Sequence, residues 1–334
     1  MTSVDIHTHW FPPCYYELLA SRTEEPRAER DGDDWNYLNG ARSEPGMVRE
    51  WFDLDMQFET AARTGMEMAL VSSMGIHSDL DGLPAGEARE AARMVNEEWA
   101  AAQRRHPGRF FAAAAVPLQD TEMAIEELDH AITALDLRAV SIPSSVACEP
   151  LDTPRLAPFW ARVEQLGVPL FIHPTDGTLL DVLDGYDKRL HGSLGRVVDS
   201  SVAVLRLVLS GTLDRHPDLK ILHFHAGGVL PYAAGRLDKN ASSADLVDQH
   251  PTTYLKRMWV DTAMPYPPTI AMALEFYGAD RVLYGSDNPC WNPMAALEAT
   301  RSLNLEATAM SAVLEGNARG LLDLRVPTST AAGG

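Results

Sequence analysis

The sequence predicts an α/β protein built as a (β/α)8 barrel, on three observations. Eight short β-rich runs recur along the 334 residues, and the segments between them carry helical spacing. Histidines and one aspartate fall at the C-terminal ends of several of these runs. Two connections that leave strand ends are much longer than a turn. Strands alternating with helices imply βαβ units and a parallel sheet. Eight such units in a chain of this length fit one barrel, with a doubly wound sheet as the competing arrangement.

In chain order, the first strand is Ser3–Ile6. The long connection Trp10–Gly65 follows, with Pro12-Pro13, the acidic run Asp31–Asp34 and the aromatics Tyr15, Tyr16, Trp35, Tyr37 and Trp51. A structured loop of this length at a barrel mouth is expected to act as a lid or substrate wall, so residues 11–65 read as an insertion. Strand two is Met68–Ser72. The apolar stripe Ala88, Ala91, Val95, Trp99, Ala102 then marks a helix. Strand three, Phe110–Val116, precedes the stripe Ile125, Leu128, Ile132, Leu135. Strand four, Ala139–Ile142, precedes Phe159, Val163 and Leu166. Strand five, Leu170–Ile172, leads into the second long connection, Pro174–Leu219. Strands six to eight are Lys220–Phe224, Met258–Asp261 and Val282–Tyr284. Residues 1–326 read as a single domain. The Thr/Ser/Ala/Gly run at 327–334 reads as a frayed tail.

Composition narrows the partners. Lys and Arg number 28 against 47 Asp and Glu, a formal charge of −19. Such a surface repels nucleic acid and anionic membranes, and an anionic substrate needs a local cation to enter. No stretch of about 18 apolar residues is available to span a membrane. The N-terminus reaches Asp5 and His7 too soon for a signal peptide, so a cytoplasmic protein is expected. The three cysteines, Cys14, Cys148 and Cys290, are odd in number and far apart, which argues against a disulfide framework or a thiolate zinc site.

The 11 histidines sort by position. His106 and His216 sit in similar Arg-His-Pro phrases just before strands, at the bottom of a barrel, and read as structural. His77, His130 and His250 have no partners in the pattern. Five others cluster at the top, and His191 lies in the second long connection. His7 and His9 end strand one, His173 ends strand five, and His223 and His225 end strand six. Asp287 follows strand eight. Residues i and i+2 on a strand face one side, so His7 and His9 can reach one ion. His-x-His alone also suits a pair of packed core histidines. Three histidines and a carboxylate converging from three strand ends suit a catalytic metal with a position left for water.

The phrases Val4-Asp5-Ile6-His7-Thr8-His9, Phe171-Ile172-His173-Pro174, His225-Ala226-Gly227-Gly228 with Pro231, and Gly285-Ser286-Asp287-Asn288-Pro289 resemble the amidohydrolase superfamily. The resemblance is to its aminocarboxymuconate-semialdehyde decarboxylase-like branch and covers nearly the whole chain, including Gly316-Asn317-Ala318 near the C-terminus. It implies a distorted TIM barrel with His7, His9, His173 and Asp287 as metal ligands, for zinc or sometimes manganese. It makes His225 the catalytic histidine, with Asp287 a second proton carrier. No lysine stands at a strand end as a carbamylated bridge would require, so a single ion is expected.

The chemistry implied is non-oxidative decarboxylation of an aromatic or dienoic acid. Hydrolysis of a lactone, amide or related bond with the same ligands is the alternative, and a non-catalytic metal-binding barrel is a third class. Arg49, in Met47-Val48-Arg49-Glu50-Trp51, is the candidate cation for a substrate carboxylate, or else a surface arginine paired with a neighbouring acid. His191 lies where relatives place a residue over the substrate. His223, two before His225, is expected to face the same cavity, as a substrate contact or ligand-orienting partner. Relatives imply a homodimer.

Overall fold

A computed structural model describes residues 2–40, 43–75, 80–175, 190–241 and 247–324. Its first strand, β1 (Thr2–Thr8), leads into the expected insertion. There a helix, Pro13–Ala20, precedes a three-stranded antiparallel sheet of β2 (Arg27–Asp31), β3 (Asp34–Leu38) and β4 (Glu44–Met47). The aromatics of this segment form its own packing: Tyr15, Tyr16 and Tyr37 are fully buried and Trp35 nearly so. Helix Leu54–Ala62, capped by Asp53 Oδ1 accepting from Met56 N, already packs on the next barrel strand.

The chain then alternates. Strands β5 (Glu67–Ser72), β6 (Phe110–Ala114) and β7 (Ala139–Pro143) are followed by a small hairpin of β8 (Ser145–Val146) and β9 (Glu149–Pro150). The remaining strands are β10 (Leu170–His173), β11 (Ile221–His223), β12 (Trp259–Asp261) and β13 (Val282–Leu283). The large sheet runs β1-β5-β6-β7-β10-β11-β12-β13, with every pairing parallel. Main-chain bonds from Ile6 N to Tyr284 O (3.0 Å) and from Asp287 N to His7 O (2.8 Å) join its last strand to its first. All eight strands read from the sequence are present within a few residues, and the barrel prevails over the doubly wound sheet because these bonds close the edge.

Two apolar clusters follow from the strand alternation. Residues such as Leu70, Ala112, Val140, Ile172 and Val260 face outward under the helices, where the stripe Ala88, Ala91, Val95, Trp99, Ala102 is buried. The alternate residues Val71, Ala113, Phe171, Leu222 and Leu283 fill the interior, together with Ala318 and Leu321 of the C-terminal helix Asn317–Leu321. This parity turns His173 inward with Phe171 and His223 outward beside Leu222. No helix among the described residues is long and apolar enough to cross a membrane. His77 and the tail at 327–334 lie outside the described residues.

Candidate metal centre and active site

Four side chains converge at the C-terminal end of the barrel. His7, His9, His173 and Asp287 are all buried, and one ligand atom from each lies within 4.8 Å of the others. His7 Nε2 and His9 Nε2 stand 3.3 and 3.1 Å from Asp287 Oδ1. Ligand bonds of about 2.0–2.1 Å in a tetrahedron require edges of about 3.3 Å, so this spacing suits one ion.

The tautomers make the stronger test. His7 Nδ1 donates to Asp261 Oδ2 (2.6 Å), His9 Nδ1 to the Ser73 carbonyl (3.0 Å) and His173 Nδ1 to the Pro174 carbonyl (2.9 Å). Carbonyls only accept, so each Nδ1 carries the hydrogen and each Nε2 is left with a lone pair. The Nε2 atoms of His7 and His173 are buried with no hydrogen-bond partner. Buried polar atoms without a partner are costly, and several aimed at one point call for a cation. Burial holds both imidazoles below their ordinary pKa, in the neutral form that ligates. At Asp287 burial opposes ionisation, but the electrostatic influence of the imidazoles around it, His7 first and then His225, outweighs it and holds the carboxyl well below the usual range.

The local backbone is shaped for this approach. A register shift between Asp5 and Thr8 spans His7, whose ring sits 5.0 Å from that of His9. Asp5 accepts from Ser286 N (3.0 Å) and Ser286 Oγ (2.6 Å), tying β1 to the turn that carries Asp287. Burial pushes the Asp5 carboxyl up to about 7 despite those bonds. A Cβ at Gly285 would sit 3.0 Å from the Cβ atoms of both His7 and Asp261, so only glycine lets those two close.

His225 follows β11 and has φ +57°, as Asp287 has +61°. Non-glycine residues in this region are strained, a cost that clusters at active sites. The turn lays His225 Nε2 3.4 Å from Asp287 Oδ2. Burial opposes its cation, yet the Asp287 hydrogen bond and charge, with Asp261, raise its pKa above the ordinary value.

His223 does not share that cavity. Strand parity turns it outward between the interior residues Leu222 and Phe224, and its Nε2 pairs with Ser200 Oγ (3.0 Å) of helix Arg196–Leu209. The i, i+2 expectation fails because β11 ends at His223 and the chain reverses hand before His225. Burial pushes the His223 imidazole down to about 3, and the adjacent His225 charge adds to this.

Arg49 is also elsewhere. Its guanidinium binds Asp53 Oδ2 (2.8 Å) with the side chain 65% exposed, in a separate recess with Arg30 and Trp35. Of the two readings left open for it, the structure shows the surface pair. His191 begins a π-turn, His191–Gly195, whose Gly192 and Ser193 edge the main cavity; His191 itself is partly buried and not in the lining.

Sequence reasoning missed Asp261, the last residue of β12, which accepts from His7, from Ala226 N (3.0 Å) and from Ala263 N (3.2 Å). Its position at a strand end was the available signal, the same one that singles out His173. Replacement of Asp261 by alanine is expected to weaken metal binding about 10–100-fold by freeing the His7 tautomer, measured by competition with a chromogenic chelator.

The cavity above the cluster has a volume of about 590 Å³ and is lined by His225, Asp287, Arg196, Met264, Tyr266 and Trp291 among others. This size fits a small-molecule site. Trp51 of the insertion lies nearly parallel to His9, with ring centroids 6.2 Å apart.

Residues 4–324 match the family model described as Amidohydrolase. The chain belongs to the amidohydrolase family. As an amidohydrolase it is 31% identical over 256 residues to a gamma-resorcylate decarboxylase of Rhizobium sp. (strain MTP-10005), covering 71% of this chain and 77% of that one. Among solved structures, 2,6-dihydroxybenzoate decarboxylase complexed with 2,6-dihydroxybenzoate superposes with a TM-score of 0.80 at 26% identity. That match covers 97% of this amidohydrolase and 100% of the other chain. A dihydroxybenzoic acid decarboxylase of Polaromonas sp. JS666, solved with bound manganese and the inhibitor 2-nitroresorcinol, shares the fold. Its TM-score is 0.77 at 22% identity over 97% and 98% of the two chains.

Proposed function

We propose that this amidohydrolase is a metal-dependent, non-oxidative decarboxylase of a small aromatic carboxylic acid. One observation carries the reading: a buried His7–His9–His173–Asp287 set opens, beside the His225–Asp287 pair, into a cavity walled by Tyr266 and Trp291. The relatives that act on resorcylate-type acids support it.

His7, His9, His173 and Asp287 would hold one divalent ion, zinc or manganese. When bound, such an ion supplies Lewis acidity to oxygens of the substrate. The chain's own residues govern the proton. Cleavage of the ring–carboxylate bond releases CO2 and leaves the bonding pair on the ring carbon, which must gain one proton. Asp287 Oδ2 lies next to His225 Nε2, so a proton held by the His225 cation can pass through Asp287 to that carbon. Both groups are buried, which strengthens the interaction between them.

Exposed Tyr232 and Met272, on two helices that pack together, support a homodimer. The lack of a described membrane-crossing helix is compatible with a cytoplasmic location.

The test is CO2 release by the metal-loaded protein from a panel of hydroxybenzoates, with aryl lactones and amides alongside. Release from at least one acid, without lactone or amide hydrolysis, is the expected result. Hydrolysis without CO2 release would overturn the reading in favour of a hydrolase.

A further inference from the structure

We propose that Arg196 anchors the substrate's carboxylate, so that the cavity selects small aromatic anions over neutral rings. The proposal deepens the decarboxylase reading and rests on it for the identity of the substrate.

The charge balance poses the question. A chain with a formal charge of −19 repels an acid from most of its surface. Within the site, Asp287 is held ionised and Asp261 lies fully buried beneath it. An incoming carboxylate therefore needs a fixed positive group close to His225. Arg49 cannot serve while its guanidinium is clamped to Asp53 in another recess.

Arg196 is the only Lys or Arg among the described residues that line the main cavity. It directly follows His191–Gly195, whose π geometry is often found at functional sites. That turn leaves Gly192, Ser193 and Arg196 together along the lining. Arg196 shares that lining with His225 and Cys290, and its charge acts on both. A planar guanidinium offers two parallel donors to a carboxylate, a geometry an ammonium cannot copy. The remaining walls suit a flat ring: Tyr266 and Trp291 are 63% and 53% exposed, large aromatic faces left open where a ligand can cover them.

The experiment compares two ligands on the metal-loaded enzyme by calorimetry, 2,6-dihydroxybenzoate and the neutral resorcinol, in the wild type, Arg196→Met and Arg196→Lys. Loss of a charge-assisted contact predicts weakening of the acid by about 10–100-fold in Arg196→Met. Resorcinol affinity should stay within about twofold, and Arg196→Lys should recover part of the loss. In turnover, KM for the acid should rise more than kcat falls.

Equal losses for both ligands, or no loss for either, would overturn the anchor while leaving decarboxylation by the wild type intact. If the wild type releases no CO2 from any acid but the acid-selective loss is seen, the anchor stands and the decarboxylase reading falls.

Discussion

Asp287→Ala and His7→Ala proteins are expected to lose stable metal binding and, with it, turnover. Asp287 contributes the single negative ligand to a pocket that also holds His7, His9, His173 and His225. Without it the imidazoles face one another in a buried space, and only Asp261, behind His7, is left to offset the charge of an incoming ion. Loss of a supporting partner one contact further out costs about 10–100-fold in affinity, so loss of the carboxylate itself should exceed about 100-fold. His7→Ala also removes a ring stacked 3.9 Å from Phe224, and part of its effect will be packing. Asp287→Asn avoids that complication because it keeps the shape and removes the charge. Metal per chain after dialysis against a chelator, measured by mass spectrometry of the metal, decides the matter. Full metal content and unchanged activity in the Asp287 and His7 variants would sink the assignment.

Much of this site was legible because two simple periodicities converge on it. Short β-rich runs alternating with helical stripes marked the eight strands, and strand ends of a parallel barrel share one mouth, so His7, His9, His173 and Asp287 could be brought together from distant phrases. The same rule misplaced His223 because it was counted back from His225. The correct count starts inside the strand, where Leu222 belongs to the interior cluster and its neighbour must face out. Arg49 was drawn to the site by its phrase, yet Asp53 four residues on is both a helix cap and its ion partner. That pairing was visible as a spacing, but which acid an arginine selects depends on folding that places Asp53 at a helix start. Asp261 and Arg196 carry no local motif. Asp261 meets Ala226 across about 35 residues of sequence, and Arg196 lines one cavity with His225 across about 29, and only tertiary packing brings such residues together. The insertion was expected as a wall, but its three-stranded sheet was not, since β2 to β4 are short and largely polar.

Replacement of His225 should separate metal binding from chemistry. Its Nε2 faces Asp287 Oδ2, while the three imidazoles proposed to hold the ion belong to other residues, so the proposed ion-binding set is expected to survive its loss. What disappears is the proton source beside the reacting carbon, worth about 10²–10⁴-fold in rate for a well-placed general acid. His225→Ala is the direct variant, but position 225 has φ +57°, where alanine gains nothing to offset the strain. His225→Asn is the sounder choice, because asparagine visits this conformation more readily and carries no titratable proton. Both variants should retain about one metal per chain and bind 2,6-dihydroxybenzoate within a few fold of wild type, while CO2 release falls by at least about 100-fold. Assigning the defect to proton transfer requires that the two proteins melt close to the wild type. A His225→Asn enzyme that turns over at the wild-type rate would remove His225 from the reaction and leave Asp287 to draw its proton from solvent.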